Sequence, residues 1–471
     1  MVGSLRNVRL GHGRGPLFAR AVLTFALVAA FALVPSAAQQ QIPPAPTPMT
    51  TAPTSNEPAP EPRSSPAVKE RFLTDRFPDK PSIPPTLTVP IEPLGFTAPS
   101  PGYLGARNSM ASLDFLDENR LLFTFRVPGL LHRDVENSEE GVERQIRAVV
   151  LTLPKGTVET EAMWTVHDRV RYLWPLKNGH FLLRDRNNLF EGDATLTLKP
   201  YLDFPGSLLW LEVDPGQHFL VTNSREPEKK AADSGAISST STASATVTTD
   251  QDSSDSIDHP NLVVRILRRD SGEVMLVSRV RTAVHLPINS VGYLENLRSR
   301  GTEWVLNLSY FTGGSKMLGH VESTCEPDDE FLTEQEVLAT GCGPSGGNNL
   351  VAMTTGGRTL WKSQAPATEV WPQLAVAANG SRLAWETLDA THSIYAYAPL
   401  DASDVKEQSV TVFDGANGDI VLVSPVSPIL DAGGNVAISP SGRRVALLNA
   451  GAIQVFDLPA ATPLPAGASG Q

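Results

Sequence analysis

The stretch SLDFLDENRLLFTF (residues 112–125) holds two apolar runs separated by a polar turn. Alternating Leu- and Phe-rich runs on either side of such a turn are typical of an antiparallel β-hairpin. The same arrangement returns six more times, at residues 171–185, 208–223, 289–310, 328–341, 372–387 and 434–449. Each hairpin is followed by further strand-like runs, such as IRAVVLTL and TVETEAMW after the first. A supersecondary unit repeated at intervals along a chain indicates a repeat architecture.

Seven repeats of four antiparallel strands predict an all-β chain folded as a seven-bladed β-propeller over residues 86–460. The last repeat is shorter than the others, because only the run AIQVFDLP follows its hairpin before a tail at 461–471 rich in Pro, Ala and Gly. Blade seven therefore lacks a fourth strand. The run TLTVPIEPLGF (86–96) regains β-branched and aromatic residues, and we expect it to supply that strand and close the ring. We expect the tail to be flexible.

Residues 1–38 have the composition of a secretory signal peptide. The first twenty residues contain four arginines and no acid, the apolar run AVLTFALVAAFALV (21–34) follows, and the small residues Ser36 and Ala38 precede a plausible cleavage point. The apolar run is shorter than the ~20 residues that span a bilayer, which favours cleavage over a retained anchor. We expect a protein exported to the periplasm or secreted, without stable membrane insertion after cleavage.

Two segments have compositions that oppose folding. Residues 39–85 are rich in proline, which predicts a disordered linker. Residues 225–260 are mostly Ser, Thr, Ala and Asp, which predicts a disordered insertion within the propeller. The formal net charge of the chain is −12. An acidic chain without a basic stripe is unsuited to nucleic acid, because phosphate contacts need clustered Lys and Arg.

The only two cysteines, Cys325 and Cys342, flank the fifth hairpin. Aligning FLTEQEVL with FLDENRLL of the first repeat places the turn at residues 332–335. In this register the residue numbers of any two facing residues add up to 667. This register puts the cysteines opposite each other, with Cα atoms ~4.5 Å apart at a non-hydrogen-bonded position. That distance suits a disulfide, which an exported protein can form. The alternative is a pair of buried free thiols. No CxxC motif is present, so the expected role of a disulfide is structural.

The seven hairpins resemble those of exported bacterial seven-bladed β-propellers, which are related in shape to the WD-repeat and lactonase-like families. The run MTTGGRTLWKSQ (353–364) resembles a strand of the quinoprotein repeat. The resemblance implies a propeller whose loops between second and third strands open on one face. The long loops at 128–145, 225–260, 343–349 and 388–408 belong to that class, and long loops gathered on one rim commonly carry function.

The sequence contains no GxSxG, HExxH, GxxxxGK[ST] or CxxC motif, so we predict no catalytic, cofactor-binding or metal residues. His132 and Asp134 form a weak exception, because a histidine beside an acid is able to bind a metal or act as a base. Isolated His-Asp neighbours in loops are more often a solvated surface pair, which is the alternative. His392, Tyr395 and Tyr397 in HSIYAYAP are further ligand-face candidates. The two tyrosines would form a stacking surface for a peptide or sugar, or alternatively a packed strand edge.

A second His-Asp pair, His167 and Asp168, is open to the same two interpretations. An enzyme would need carboxylates or histidines converging on the central channel, whereas the inner runs LAVAA, VAISP and LLWLEV are mostly apolar. The sequence therefore favours a non-catalytic binding or scaffolding module with an unknown protein or glycan partner. The alternative is a propeller enzyme of lactonase or quinoprotein type.

Overall fold

The computed structural model describes residues 69–72, 78–98, 110–128, 143–167, 171–226, 262–281, 283–344, 346–393, 402–430 and 433–463. The chain forms seven antiparallel sheets that follow one another as the blades of a propeller. Apart from the N-terminal strands β1 and β2 and the inner layer of blade four described below, the strand that comes first in each blade is innermost and the chain then adds strands outward. The predicted all-β, seven-bladed fold is confirmed.

Two short strands precede the first hairpin: β1 (Lys69–Phe72) and β2 (Leu87–Pro90). Blade one contains β3 (Ser112–Asp117), β4 (Arg120–Arg126), β5 (Arg144–Thr152) and β6 (Thr157–Val166). Blade two contains β7 (Leu173–Pro175), β8 (Phe181–Asp185), β9 (Asn188–Gly192) and β10 (Lys199–Asp203). Blade three contains β11 (Ser207–Val213), β12 (Phe219–Arg225), β13 (Leu262–Arg268) and β14 (Val274–Val280).

Blade four contains β15 (Gly292–Arg300), β16 (Glu303–Tyr310) and β17 (Ser315–Glu322). Blade five contains β18 (Asp328–Thr333), β19 (Glu336–Cys342), β20 (Asn348–Thr354) and β21 (Thr359–Gln364). Blade six contains β22 (Glu369–Val376), β23 (Arg382–Ala390), β24 (Val405–Asp414) and β25 (Ile420–Pro425). Blade seven contains β26 (Val436–Ile438), β27 (Arg444–Asn449) and β28 (Ala452–Asp457), and β2 joins it as described below.

Antiparallel strands alternate in direction, so the connections sort onto two faces of the disc. We call one face the turn face; it holds the seven turns between first and second strands, at 118–119, 176–180, 214–218, 289–291, 334–335, 377–381 and 439–443. We call the other the loop face; it holds the ends of the strands that flank 127–143, 226–261, 343–347 and 391–404, and the connections between blades. The strand ends therefore agree with the expectation that the long loops share one face.

Blade four differs from the sequence alignment by one strand. The backbone of residues 283–288 forms its innermost layer, because Ile288 bridges Tyr293 and Leu294 donates to the carbonyl of Pro287 at 3.0 Å. The hairpin at 289–310 is thus made of the second and third strands, β15 and β16, rather than the first and second. Pro287 has no N–H to donate to a ladder, which explains why this inner layer is irregular and why its sequence lacks a strand pattern.

The N-terminal strand closes the ring as expected. Strand β2 pairs antiparallel with β28, from Leu87 opposite Val455 to Pro90 opposite Ala452, and so becomes the outer strand of blade seven. Upstream, β1 pairs in parallel with β21 at the outer edge of blade five. Between them, Ser82 donates its N–H to the carbonyl of Val423 on β25 at 2.8 Å. We call residues 69–90 the N-terminal strap, since its described parts contact the outer strands of three successive blades.

The cysteines meet, but not through the predicted register. Their sulfur atoms lie 2.06 Å apart and their Cα atoms 5.5 Å apart, rather than the expected ~4.5 Å. Phe331 faces Val337, because a bulge at Leu332 adds one residue, and the turn contains only residues 334–335. Cys325 lies before β18, outside the ladder. The adjacent Thr324 donates its N–H to the carbonyl of Cys342 at 3.0 Å, and this contact brings the two cysteines together.

The hydrophobic core lies in the seams between adjacent blades, and tryptophans fill several of them. Trp361 and Trp385 are fully buried in the seam between blades five and six. The indole N–H of Trp361 donates to the carbonyl of Gly415 at 2.9 Å, so its single polar atom is satisfied inside the seam. These tryptophans pack neighbouring blades against one another.

Candidate functional site

On the turn face, neighbouring blades bind one another through their turns. The Glu118 carboxylate of blade one accepts hydrogen bonds from the Ser441 N–H of blade seven at 2.6 Å and from its hydroxyl at 2.8 Å. The same kind of contact joins other turns: Asn379 donates to Ser441, Lys177 to Gln217, and Ser290 to Glu334. Much of the polar surface of this face is therefore used to hold the ring together, which leaves the channel and the loop face for a ligand.

Six charged side chains lie on or beside the innermost layers of five consecutive blades and act on one another electrostatically. We call them the channel cluster: Asp114, Arg171, Glu212, His285, Asp328 and Glu330. They come from β3 in blade one, the residue two before β7 in blade two, β11 in blade three, the inner layer of blade four, and β18 in blade five. Because each blade contributes its innermost layer, the closed ring brings together residues more than 200 positions apart in sequence.

His285 is held between two carboxylates. Its Nε2 lies 3.2 Å from Glu212 Oε2, and its Nδ1 lies 3.1 Å from Asp328 Oδ1. The Trp210 ring meets the imidazole edge-on, with ring centres 5.3 Å apart. Burial acts to lower the pKa of His285, but the Glu212 and Asp328 carboxylates outweigh it and raise the pKa to about 10. The imidazole is therefore cationic at neutral pH, with both nitrogens engaged.

Arg171 lies between the two ends of the cluster. Burial lowers the pKa of its guanidinium, while the carboxylates of Asp114 and Glu330 raise it. Its Nε donates to the carbonyl of Leu173 at 2.9 Å, and the guanidinium lies over the Trp174 ring, 5.5 Å from its centre. These contacts hold the guanidinium in place. Its charge acts on the Asp114 carboxylate of blade one and on the Glu330 carboxylate of blade five.

The carboxyl groups of the cluster are partly desolvated. Burial raises the pKa of Asp114 to about 6, against the opposing effects of Arg171 and of the Ser112 hydroxyl, which donates at 2.5 Å. Burial also raises the pKa of Glu330, and the neighbouring carboxylates of Glu212 and Asp328 act in the same direction. With four carboxyl groups and two cations, the fully ionised cluster has a formal charge of −2. Protonation of Asp114 near pH 6 changes this charge to −1.

Asp329 extends the cluster behind β18. Its side chain accepts a hydrogen bond from the amide of Asn296 on β15. Burial, followed by the charge of Asp328, raises the pKa of Asp329 to about 7. Asp329 therefore changes charge close to neutral pH.

The expectation of an apolar channel is wrong. The run LLWLEV, counted as apolar, places Glu212 in the cluster, and no single inner run reveals the convergence. A signal was present in the alignment of repeats: superposing SLDF on DDEF puts Asp114 and Glu330 at the same position of the innermost strand. Only ring closure shows that these positions surround one channel.

Carboxylates and a histidine do converge, and the histidine lies between two of the carboxylates. A general base or a metal-ligating histidine needs a free ring nitrogen. His285 offers none, because each nitrogen faces a carboxylate. Within the described residues, no group of three or more His, Cys, Asp or Glu side chains has the geometry to hold a metal ion. His285 therefore supplies a fixed positive charge rather than a proton acceptor.

Four of the five sequence-based ligand-face candidates, His132, Asp134, Tyr395 and Tyr397, lie outside the described residues. The fifth, His392, is exposed on the loop face just after β23, where its Nδ1 lies 3.2 Å from the Thr391 hydroxyl. It is not part of the channel cluster.

Of the second His-Asp pair proposed from the sequence, only His167 can be followed. Asp168 lies outside the described residues, and His167 binds a different acid: its Nδ1 lies 2.9 Å from Asp185 Oδ1. Its Nε2 lies 3.8 Å from Glu143 Oε1. His167 therefore joins the ends of strands from blades one and two at the loop face.

None of the helical segments in the described part of the chain has the length and hydropathy to cross a bilayer.

No known protein-family model and no curated protein matches the chain. Solved structures that resemble it include the acylaminoacyl peptidase of Pyrococcus horikoshii, at 11% identity and a TM-score of 0.42, covering 76% of this chain and 52% of that one. The β-propeller domain of the Trilobed protease from Pyrococcus furiosus is similar at 10% identity and a TM-score of 0.40, covering 74% and 95%. A puromycin-hydrolyzing peptidase of Mycobacterium tuberculosis is similar at 11% identity and a TM-score of 0.39, covering 81% and 57%. The chain spans about half the length of the two peptidases.

Proposed function

We propose that the protein is an exported, non-catalytic β-propeller that binds a partner protein at the mouth of its channel, on the loop face. The observation that carries this proposal is the channel cluster, in which carboxyl groups outnumber cations four to two. A partly desolvated excess of carboxylates attracts a positive group far more strongly than an exposed one does, because the surroundings screen it less. The partner would therefore present a lysine, an arginine or an amino terminus.

The division of the disc into two faces supports this assignment. Polar groups of the turn face are occupied by contacts between blades, whereas the channel cluster and the ends of the long loops are not part of that ring of turns. Export is supported by the signal-like N-terminus and by the disulfide geometry of Cys325 and Cys342. Engagement of both His285 nitrogens favours this binding role over the enzyme alternative.

The proposal is tested by isothermal titration calorimetry with trilysine, triglutamate and chitotriose as defined probes. We expect trilysine to bind, with an affinity that falls as salt is added. Glu330→Gln removes one carboxylate and is expected to weaken binding about tenfold, corresponding to ~1.4 kcal/mol. Glu159→Gln, on the outer strand β6 of blade one, is the matched control and should leave the affinity unchanged.

The pH dependence gives an independent check. Because the pKa of Asp114 is about 6, lowering the pH from 7.5 to 5 neutralises this carboxylate and should weaken trilysine binding. Preferential binding of triglutamate or of the neutral sugar would contradict the proposal, as would trilysine binding that Glu330→Gln does not change. Absence of trilysine binding at millimolar concentration would also count against it.

A further inference from the structure

The outer strands of the propeller differ in how their free edges are protected. Natural sheets protect exposed edges with charged residues, proline, short strands or a covering segment. Strand β6 carries Glu159 and Glu161, and β17 carries Lys316 and Glu322. Strand β10 contains proline and is bounded by charges, and β2 is only four residues long and ends in proline.

The outer strands of blades five and six are covered by the N-terminal strap. Strand β1 pairs along β21 for four residues, in parallel register. On β25, the N–H of Val423 donates to the Ser82 hydroxyl at 2.9 Å, in addition to the backbone bond from Ser82. The molecule thus shows by itself that an extended segment can bind to the outer edge of a blade.

Strand β14 of blade three has neither kind of protection. Its sequence VMLVSRV has one charged residue, Arg279, and no proline. Within the described part of the chain, no strand pairs with its outer edge. Val274, Met275 and Val277 are 45%, 41% and 57% exposed, so that three of the large hydrophobic side chains exposed on the described surface lie on this one strand.

The charge around β14 is opposite to that of the protein as a whole. Residues 262–281 contain five arginines, one aspartate and one glutamate, which gives +3 in a chain of −12. Three of these arginines have carboxylate partners: Arg265 with Glu226, Arg268 with Glu273 and Arg269 with Glu191. Arg279 and Arg281 are exposed at the loop-face end of the strand. Arg279 acts on the Glu226 carboxylate, the partner of Arg265, but neither Arg279 nor Arg281 forms an ion pair of its own within the described residues.

We propose that β14 is a docking edge for an extended segment of a partner protein, which adds to blade three as a fifth strand. On the face of the sheet that carries these residues, the segment would place apolar side chains opposite Val274 and Val277 and acidic side chains opposite Arg279 and Arg281. Main-chain hydrogen bonds along the edge supply affinity, and the alternating side chains supply specificity. The site is separate from the channel cluster and does not depend on the function proposed for it.

A heptapeptide display library, selected on the protein recovered from the periplasm, tests this proposal. We expect enrichment of peptides with alternating apolar residues, at least one Asp or Glu, and no proline. Val277→Lys places a charge on the edge and should reduce binding of the enriched peptides at least tenfold. Val158→Lys makes the same change on β6, at a valine that is 47% exposed, and should leave binding intact. Thermal unfolding of both variants controls for folding.

Two further measurements identify the mode of binding. Arg279→Glu should shift the selection from acidic to basic peptides. A synthetic copy of the best peptide, N-methylated at alternate residues to remove the N–H groups of one edge, should lose binding, whereas methylation of the other edge should not. The proposal is overturned if selection gives no peptide that depends on Val277. It is equally overturned if ultracentrifugation shows wild-type self-association that Val277→Lys removes, because a second copy would then occupy the edge.

Discussion

Substitution of Glu386 by glutamine should change the pH dependence of stability more than any other single isosteric change in blade six. Glu386 lies on β23 with no solvent exposure, and its Oε1 accepts a hydrogen bond from the Gln408 amide at 2.6 Å. Burial raises the pKa of its carboxyl group from 4.5 to about 8, although donors from Asn435 and Gly434 oppose the shift. The folded protein therefore keeps this carboxyl group protonated at neutral pH.

The sign of the effect follows from proton linkage. Between pH 4.5 and 8, unfolding releases the proton of Glu386, so the unfolded state is favoured increasingly as the pH rises. One pKa unit corresponds to about 1.4 kcal/mol, so a shift of roughly 3.5 units would amount to about 5 kcal/mol over the whole window. Glutamine does not titrate. The free energy of unfolding of Glu386→Gln relative to wild type should therefore rise by about 4 kcal/mol between pH 5 and pH 8.

Urea unfolding at pH 5, 6, 7 and 8, followed by both tryptophan fluorescence and circular dichroism, measures this difference. Other buried groups, such as Asp329, titrate in both proteins and cancel. Glu407→Gln, which removes an exposed carboxyl group from the adjacent strand β24, is the matched control and should run parallel to wild type. Parallel curves for Glu386→Gln and wild type would refute the reasoning, because they would mean that Glu386 is ionised in the folded protein near neutral pH.

Three other changes follow from the structure. Cys342→Ser should lower the free energy of unfolding by about 3 kcal/mol, the value typical of a loop closed over 17 residues, and peptides holding Cys325 and Cys342 should be linked in a non-reducing digest of the wild type. Deletion of residues 39–80 removes β1 and should lower Tm by about 3 °C. Deletion of residues 39–96 also removes β2 and opens the ring, so it should lower Tm by about 10 °C or more. Circular dichroism measures both Tm values. His285→Asn leaves the carboxylates of Glu212 and Asp328 without their cation and should cost about 3–5 kcal/mol at pH 6. Because the pKa of His285 is raised to about 10, its contribution is lost between pH 6.5 and 10, so the deficit of the variant in urea unfolding should shrink over that range.

The repeat pattern was sufficient to predict the fold because hairpins are local. Each hairpin joins residues close in sequence, and its apolar runs and polar turn indicate both strands. The pattern failed in blade four, where the inner layer contains Pro287 and forms only an isolated bridge. The alignment then assigned β15 and β16 to the inner positions, one strand too early. Closure by β2 was predictable for a different reason, since the last repeat is visibly one strand short.

The register of the fifth hairpin shows a second limit. The alignment of FLTEQEVL with FLDENRLL is sound, since both hairpins have a bulge at the same place, at Leu116 in the first and at Leu332 in the fifth. Both leucines are buried, so the bulge directs an apolar side chain into a seam at the cost of regular pairing. Packing between blades imposes this bulge, and a pattern of apolar residues within one hairpin does not reveal it.

The channel cluster depends on ring closure, because its carboxyl groups come from blades one, three and five. In the seam between blades five and six, the Trp361 N–H is satisfied and surrounded by apolar groups. In the cluster, burial raises the pKa values of Asp114 and Glu330, so their ionised forms are less stable in the folded protein than in water. Apolar residues of similar volume would hold the inner strands together at a lower cost. Retaining carboxylates there is costly for a purely structural ring, but it is expected of a ring that binds a positive group at its centre.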